Sequence, residues 1–136
     1  ATEIVAIVPD KARSGLISLT TANGVVNSSN TFTVTTPVLT LLAPIGKEKL
    51  KAGNSFIIRW QAENFDVASF DLLLSTDGGA SFPMVITQNL TATDRMFTWV
   101  VPRIKTKTAR ISLVARTQNG LTFTDNSKNN FKIKAK

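Results

Sequence analysis

Two sets of residues in this sequence have types and spacings that could do chemistry. The first is Ser75-Thr76-Asp77-Gly78-Gly79-Ala80-Ser81-Phe82, where hydroxyls stand two residues before and four residues after a single carboxylate. Oxygens at those offsets can hold the backbone of a tight turn, and glycine supplies the positive φ such a turn needs. Ser75, Asp77, Gly79, Ser81 and Phe82 are therefore expected to form a self-bonded structural turn between two strands. The second set is basic. Lys47, Lys49 and Lys51, then Arg103, Lys105 and Lys107, then Lys132, Lys134 and Lys136 make up nine of the sixteen Lys and Arg residues, and each group recurs at alternate positions. In an antiparallel sandwich the three groups are expected to converge on the C-terminal pole. Several cations acting together would bind an anionic polymer in a salt-dependent way, whereas isolated exposed lysines serve mainly solubility.

Other chemistries lack their parts. The chain has no histidine and no cysteine, which removes the commonest general base, the commonest metal ligand, thiolate zinc sites and disulfides together. Its nine carboxylates do not cluster along the sequence, and a glycosidase pair would have to face each other across a cleft about 5 to 9.5 Å wide. The expectation is no enzyme, no metal and no cofactor. Trp60 and Trp99 are the residues that could stack on sugar rings. Yet Phe56, Ile58 and Trp60 alternate, as do Phe97, Trp99 and Val101, so both indoles are expected in a core between two sheets. With the aromatics inside, nucleic acid is not an expected partner.

The elements that must position these residues are strands. Period-2 alternation or short β-branched runs recur throughout, separated by Gly, Pro, Asn or Asp every 8 to 12 residues or so, and no stretch shows a helical stripe. Strands are predicted over 3–8, 15–22 and 30–36, and then over 38–42, 55–63, 69–75, 82–87, 96–101, 109–117 and 121–124 with 130–134. Asn23-Gly24 and Asn119-Gly120 each mark a hairpin. Those hairpins belong to an internal repeat: Val8-Pro9, Ile17-Ser18-Leu19, Asn23-Gly24 and Phe32-Thr33-Val34 recur in order as Val101-Pro102, Ile111-Ser112-Leu113, Asn119-Gly120 and Phe131-Lys132-Ile133. The offset, from 93 at the prolines to 99 at the phenylalanines, is one sandwich domain of about 100 residues. The expectation is an all-β chain: residues 38–136 form a complete immunoglobulin-like antiparallel sandwich. Residues 1–37 supply a three-stranded remnant (strands E, F and G) of a second such domain.

The first segment, through Ile4-Val5-Ala6-Ile7-Val8-Pro9, Gly15 to Thr21 and Asn30 to Thr35, resembles the end of an IPT/TIG domain. The second resembles the immunoglobulin or fibronectin type III-like modules of exported bacterial proteins. The residues that carry this likeness are Pro44-Ile45-Gly46-Lys47-Glu48, Ile58-Arg59-Trp60, Ser75-Thr76-Asp77-Gly78-Gly79, Phe97-Thr98-Trp99-Val100-Val101-Pro102, and Asp125, Ser127, Phe131 and Ile133. The octapeptide from Ser75 to Phe82 resembles the aspartate box of sialidase propellers, which need several such boxes where this chain has one. These resemblances imply a bacterial secreted or cell-surface module acting as a spacer, adhesion or interaction domain. The alternative is an accessory carbohydrate-binding module of a secreted enzyme. No apolar run reaches the roughly 18 residues needed to cross a bilayer, and Ala1-Thr2-Glu3 carries neither an initiator Met nor a signal peptide, so a soluble chain with a cut start is expected. Expected partners are neighbouring domains of the parent chain, joined here through the short Thr36-Pro37-Val38 link, and an anionic cell-envelope polysaccharide. Self-association through residues 1–37 is expected as well, because a remnant sheet leaves an apolar face open.

Overall fold

The computed structural model describes residues 3–9 and 11–135 and divides the chain into two compact units, Ala1–Thr36 and Pro37–Lys136. All regular structure among the described residues is β.

In the first unit, β1 (Gly15–Thr21) and β2 (Gly24–Phe32) form a two-stranded antiparallel sheet. This corrects the three-stranded expectation: residues 3–8 form no strand, and the return strand occupies 24–32 rather than 30–36. A hairpin obliges the chain to pair as soon as it has turned, and that requirement outweighs the poor strand propensity of Asn27-Ser28-Ser29-Asn30. Thr21 pairs with Gly24, so Ala22 and Asn23 are the two turn residues and Gly24, at φ 132°, opens the strand. The turn therefore sits one residue before the Asn-Gly position expected for it.

The second unit contains two facing sheets. One holds β3 (Val38–Ala43), β5 (Ser55–Glu63) and β8 (Met96–Val100) in the order β3-β5-β8. The other runs β4 (Lys49–Lys51), β11 (Phe131–Lys134), β9 (Thr106–Thr117), β6 (Val67–Ser75), β7 (Met84–Thr91), with β10 (Thr122–Asn126) also on β9. Every pairing is antiparallel except β4 with β11. Taken together, β3 and β4 are the two halves of a first strand that changes sheets, and β10 and β11 are the two halves of a last strand, which makes a seven-stranded sandwich. The residues over 47–51, expected as a loop, are in part the strand β4.

Alternation builds the core. Ile58 and Trp60 on β5, Trp99 on β8, Phe70, Leu72 and Leu74 on β6, Ile111 and Leu113 on β9, and Phe131 and Ile133 on β11 are buried, with Leu39 and Phe56 packed against them. Trp60 meets Phe70 edge-on at 5.4 Å, a favoured geometry for aromatic pairs. Trp60 is 2% exposed and Trp99 6%, so neither indole offers a face to a sugar.

The first strand crosses between sheets at Pro44–Glu48. Glu48 carboxylate oxygens accept hydrogen bonds from the Ile45 and Gly46 N–H groups at 2.9 and 2.7 Å, which stiffens the crossover. Gly46 has φ 126°, and a Cβ there would lie 2.4 Å from Asn129 Cβ, so only glycine lets the crossover approach the break between β10 and β11.

Candidate functional site

The Ser75–Phe82 segment joins β6 to β7. Ser75 Oγ donates to Asp77 Oδ1 (2.6 Å) and accepts from the N–H groups of Asp77 and Gly79. Asp77 also accepts from Ser81 N (3.0 Å, Oδ1) and Ser81 Oγ (2.6 Å, Oδ2). Hydrogen bonds from Ser75 and Ser81, all donated to the ionised carboxylate, hold the Asp77 carboxyl well below the usual carboxylate range. Gly79 has φ 91°, and its Cα lies so near Arg110 that an added Cβ would be 3.1 Å from Arg110 Cδ and 3.7 Å from Phe82 Cζ. Every polar group of the octapeptide named here bonds inward, to the turn itself. Gly78 N and Thr108 Oγ1 extend the network through Thr108 O and Thr76 O, fastening the turn to β9.

The basic residues have a different arrangement. In the parallel β4–β11 pair, Lys49 stands opposite Lys132 and Lys51 opposite Lys134, while Leu50 and Ile133 occupy the alternate, inward positions. Strand spacing sets such neighbours about 4.8 Å apart across the sheet and about 6.6 Å apart along it. On β9, parity alone would send Lys107 inward with Ala109 and Ile111. A register shift prevents this: Phe131 pairs with Ala109 but Ile133 with Thr106, so Lys107 and Thr108 together oppose Lys132, and both are exposed. Lys105, Lys107, Lys132 and Lys134 line one shallow depression, and Arg103 and Lys105 line the next, which shares Ala135. Lys47 lies at the other end of the β4–β11 pair, where its N–H bonds Asn130 O. The basic groups thus form a strip: Lys49, Lys51, Lys107, Lys132 and Lys134 lie along three adjacent strands, with Arg103 and Lys105 just ahead of β9 and Lys47 just ahead of β4. Lys136 lies outside the described residues. Among the described residues, the ion pair is Arg116 with Asp71, at 2.7 Å on a different part of the sheet, and no carboxylate of a described residue lies within ion-pair distance of the strip's cations.

Several residues take roles here that the sequence did not assign, although Asp125 and Ser127 were among those that carried the likeness to fibronectin type III-like modules. Asp71 sits between Phe70 and Leu72, where alternation predicts an exposed side chain. Instead it is 3% exposed, accepts from Asn89 N at the β7 bulge, and takes two hydrogen bonds from Arg116. Asp125 Oδ2 accepts from Leu41 N at 2.6 Å and so ties β10 to β3 in the facing sheet. Asp94 caps the β7–β8 turn by accepting from Thr91 N. Ser127, 1% exposed, accepts from Ile111 N and donates to Pro44 O, closing the gap between the two halves of the last strand. A signal for Ser127 existed: Asn27-Ser28-Ser29-Asn30-Thr31-Phe32 and Asn126-Ser127-Lys128-Asn129-Asn130-Phe131 share four of six residues.

No protein-family model matches the chain, and no curated protein does. Among solved structures, the fibronectin(III)-like modules of Clostridium thermocellum CbhA include one that superposes with a TM-score of 0.51, covering 73% of this chain and 97% of that one, at 19% identity. The fold is immunoglobulin-like, of the fibronectin type III kind. The strand order β3-β5-β8 against β4-β11-β9-β6-β7 is that architecture, with a short parallel pair, β4–β11, at one edge.

Proposed function

We propose that this chain is a non-catalytic immunoglobulin-like module of a larger, extracytoplasmic bacterial protein, in which it acts as a spacer, adhesion or interaction domain. The finer reading of residues 1–37 as the end of an IPT/TIG-like domain belongs to the same proposal. The observation that carries it is where the chemically capable side chains are used. Glu48, Asp71, Asp77, Asp94 and Asp125 each accept a backbone N–H that holds a turn, a bulge or a strand edge, and both indoles are buried in the core. Groups committed in this way stabilise the scaffold and are not free to act on a substrate.

The lysine strip favours one kind of interaction over others, contact with a linear anionic polymer of the cell envelope. Like charges directly opposite each other across strands raise the energy of the unbound sheet, and a bound polyanion relieves that repulsion. An accessory module for neutral polysaccharide would instead need exposed aromatic rings. Retention on heparin and on immobilised teichoic acid tests the interaction, read against the same chain with Lys49, Lys51, Lys107 and Lys132 changed to Gln. Retention that falls with salt and is lost in the variant is expected. Equal retention of the two chains removes the strip as a binding site, and capture by insoluble neutral polysaccharide would turn the reading to an accessory carbohydrate-binding module.

A further inference from the structure

The repeat between the two units extends to individual hydrogen bonds. In the second unit, Ser112 pairs with Asn126 and Ala109 with Phe131. In the first, Ser18 pairs with Asn27 and Gly15 with Phe32. Both ladders therefore advance three residues on the first strand against five on the return strand. In both, the slack is taken up by the same bond: Ile111 N donates to Ser127 Oγ at 3.0 Å, and Ile17 N donates to Ser28 Oγ at 3.0 Å. The β1–β2 hairpin is the counterpart of β9 with β10 and β11.

What differs is the cover. Ile111, Leu113 and Phe131 are 0% exposed, while Ile17, Leu19 and Phe32 are 59%, 44% and 39% exposed. In the second unit the crossover segment lies along the serine: Pro44 O accepts from Ser127 Oγ, Ile45 O accepts from Asn129 N, and Glu48 O accepts from Lys132 N. In the first unit Ser28 Oγ turns back to Asn30 O at 2.8 Å, a local substitute for that distant carbonyl.

We infer that the Ile17–Leu19–Phe32 face is a docking site for the other half of an immunoglobulin-like sandwich, supplied by the same polypeptide ahead of β1. That half would include a crossover strand whose carbonyl takes the Ser28 hydroxyl. The source follows from chain order, because each strand that buries Ile111 and Leu113 precedes β9, apart from the returning strand itself. The covering half has the chemistry of β3, β5 and β8: a sheet with alternating large apolar residues on one face.

The inference rests on the reading of this chain as part of a larger polypeptide. Amide hydrogen exchange across β1 and β2 is compared between the 136-residue chain and the natural polypeptide extended by one domain length ahead of position 1. Exchange in the extended chain should be slower by about 100-fold or more, as for a hairpin joined to a cooperative core, and Leu19→Asp should abolish the gain. Unchanged exchange in the extended chain would overturn the inference while leaving the larger-protein reading intact. Equal protection of the 136-residue chain as a dimer would overturn it too, since a second copy would then be the cover. A gene that encodes nothing ahead of position 1 would end both readings.

Discussion

The two hairpins carry nearly the same local instructions and end in opposite environments. Ile-Ser-Leu, a tight turn and Asn-Ser-x-Asn-x-Phe produce the same pairing and the same serine bond in each. Yet one face is the centre of a core and the other is open to water. Pairing register is a short-range property, decided by turn length and by which side chains can fill an irregularity. Burial is not, because it requires partners that come from elsewhere in the chain.

The largest effect that can break this comparison comes from core truncation. Trp60→Ala should cost about 3 to 5 kcal/mol, and Leu113→Ala about 2 to 5 kcal/mol, as large-to-small changes in packed cores do. The matched Leu19→Ala should leave the urea midpoint of the second unit unchanged. Trp60 and Trp99 are the two tryptophans and both lie in the second unit, so indole fluorescence reports that unit selectively. If Leu113→Ala proved as mild as Leu19→Ala, the assignment of the core would be wrong.

The serines come next. Ser127→Ala strands the buried Ile111 N–H and Pro44 carbonyl and should cost about 1 to 3 kcal/mol. Ser28→Ala exposes its partner to water and should lie within about 0.5 kcal/mol of the unchanged chain. Equal costs for the two, measured by chemical denaturation, would mean that the repeated bond rather than its burial sets the energy.

Acid sharpens the contrast, because the Asp77 turn has no counterpart in the first unit. The folded state holds Asp77 below its ordinary 3.8, so its stabilising contribution is complete above about pH 5 and is lost as pH falls through the unfolded value toward the lower, folded one. Asp77→Asn should therefore flatten the stability profile below about pH 5 while lowering the plateau above it. A variant whose stability falls with acid as steeply as that of the unaltered chain would show that other carboxylates govern the response. The smallest effect is at the strip. Lys51→Glu turns the pair with Lys134 from repulsive to attractive and should stabilise the second unit by about 0.2 to 1 kcal/mol at low salt. That gain should shrink as ionic strength rises, and a gain insensitive to salt would point to packing instead of charge.

By itself the amino-acid order determined what depends on neighbours along the chain. Alternation marked Ile58, Trp60 and Trp99 as inward-facing, the Asn-Gly dipeptides marked both hairpins, and the serine-aspartate-glycine spacing marked the turn after β6. What it did not determine depends on residues far apart in sequence. Only the tertiary structure made Lys49–Lys51 a strand, since a three-residue segment pairs only when β11 is beside it. Only the shifted register between β9 and β11 turned Lys107 outward against its own alternation. Asp71 became buried because Asn89 and Arg116, 18 and 45 residues away, supply the hydrogen bonds that make a buried carboxylate tolerable. The missing third strand of the first unit follows the same rule. Residues 3–8 are a β-branched apolar run of strand-like composition, but a strand is completed by a partner, and composition cannot provide one.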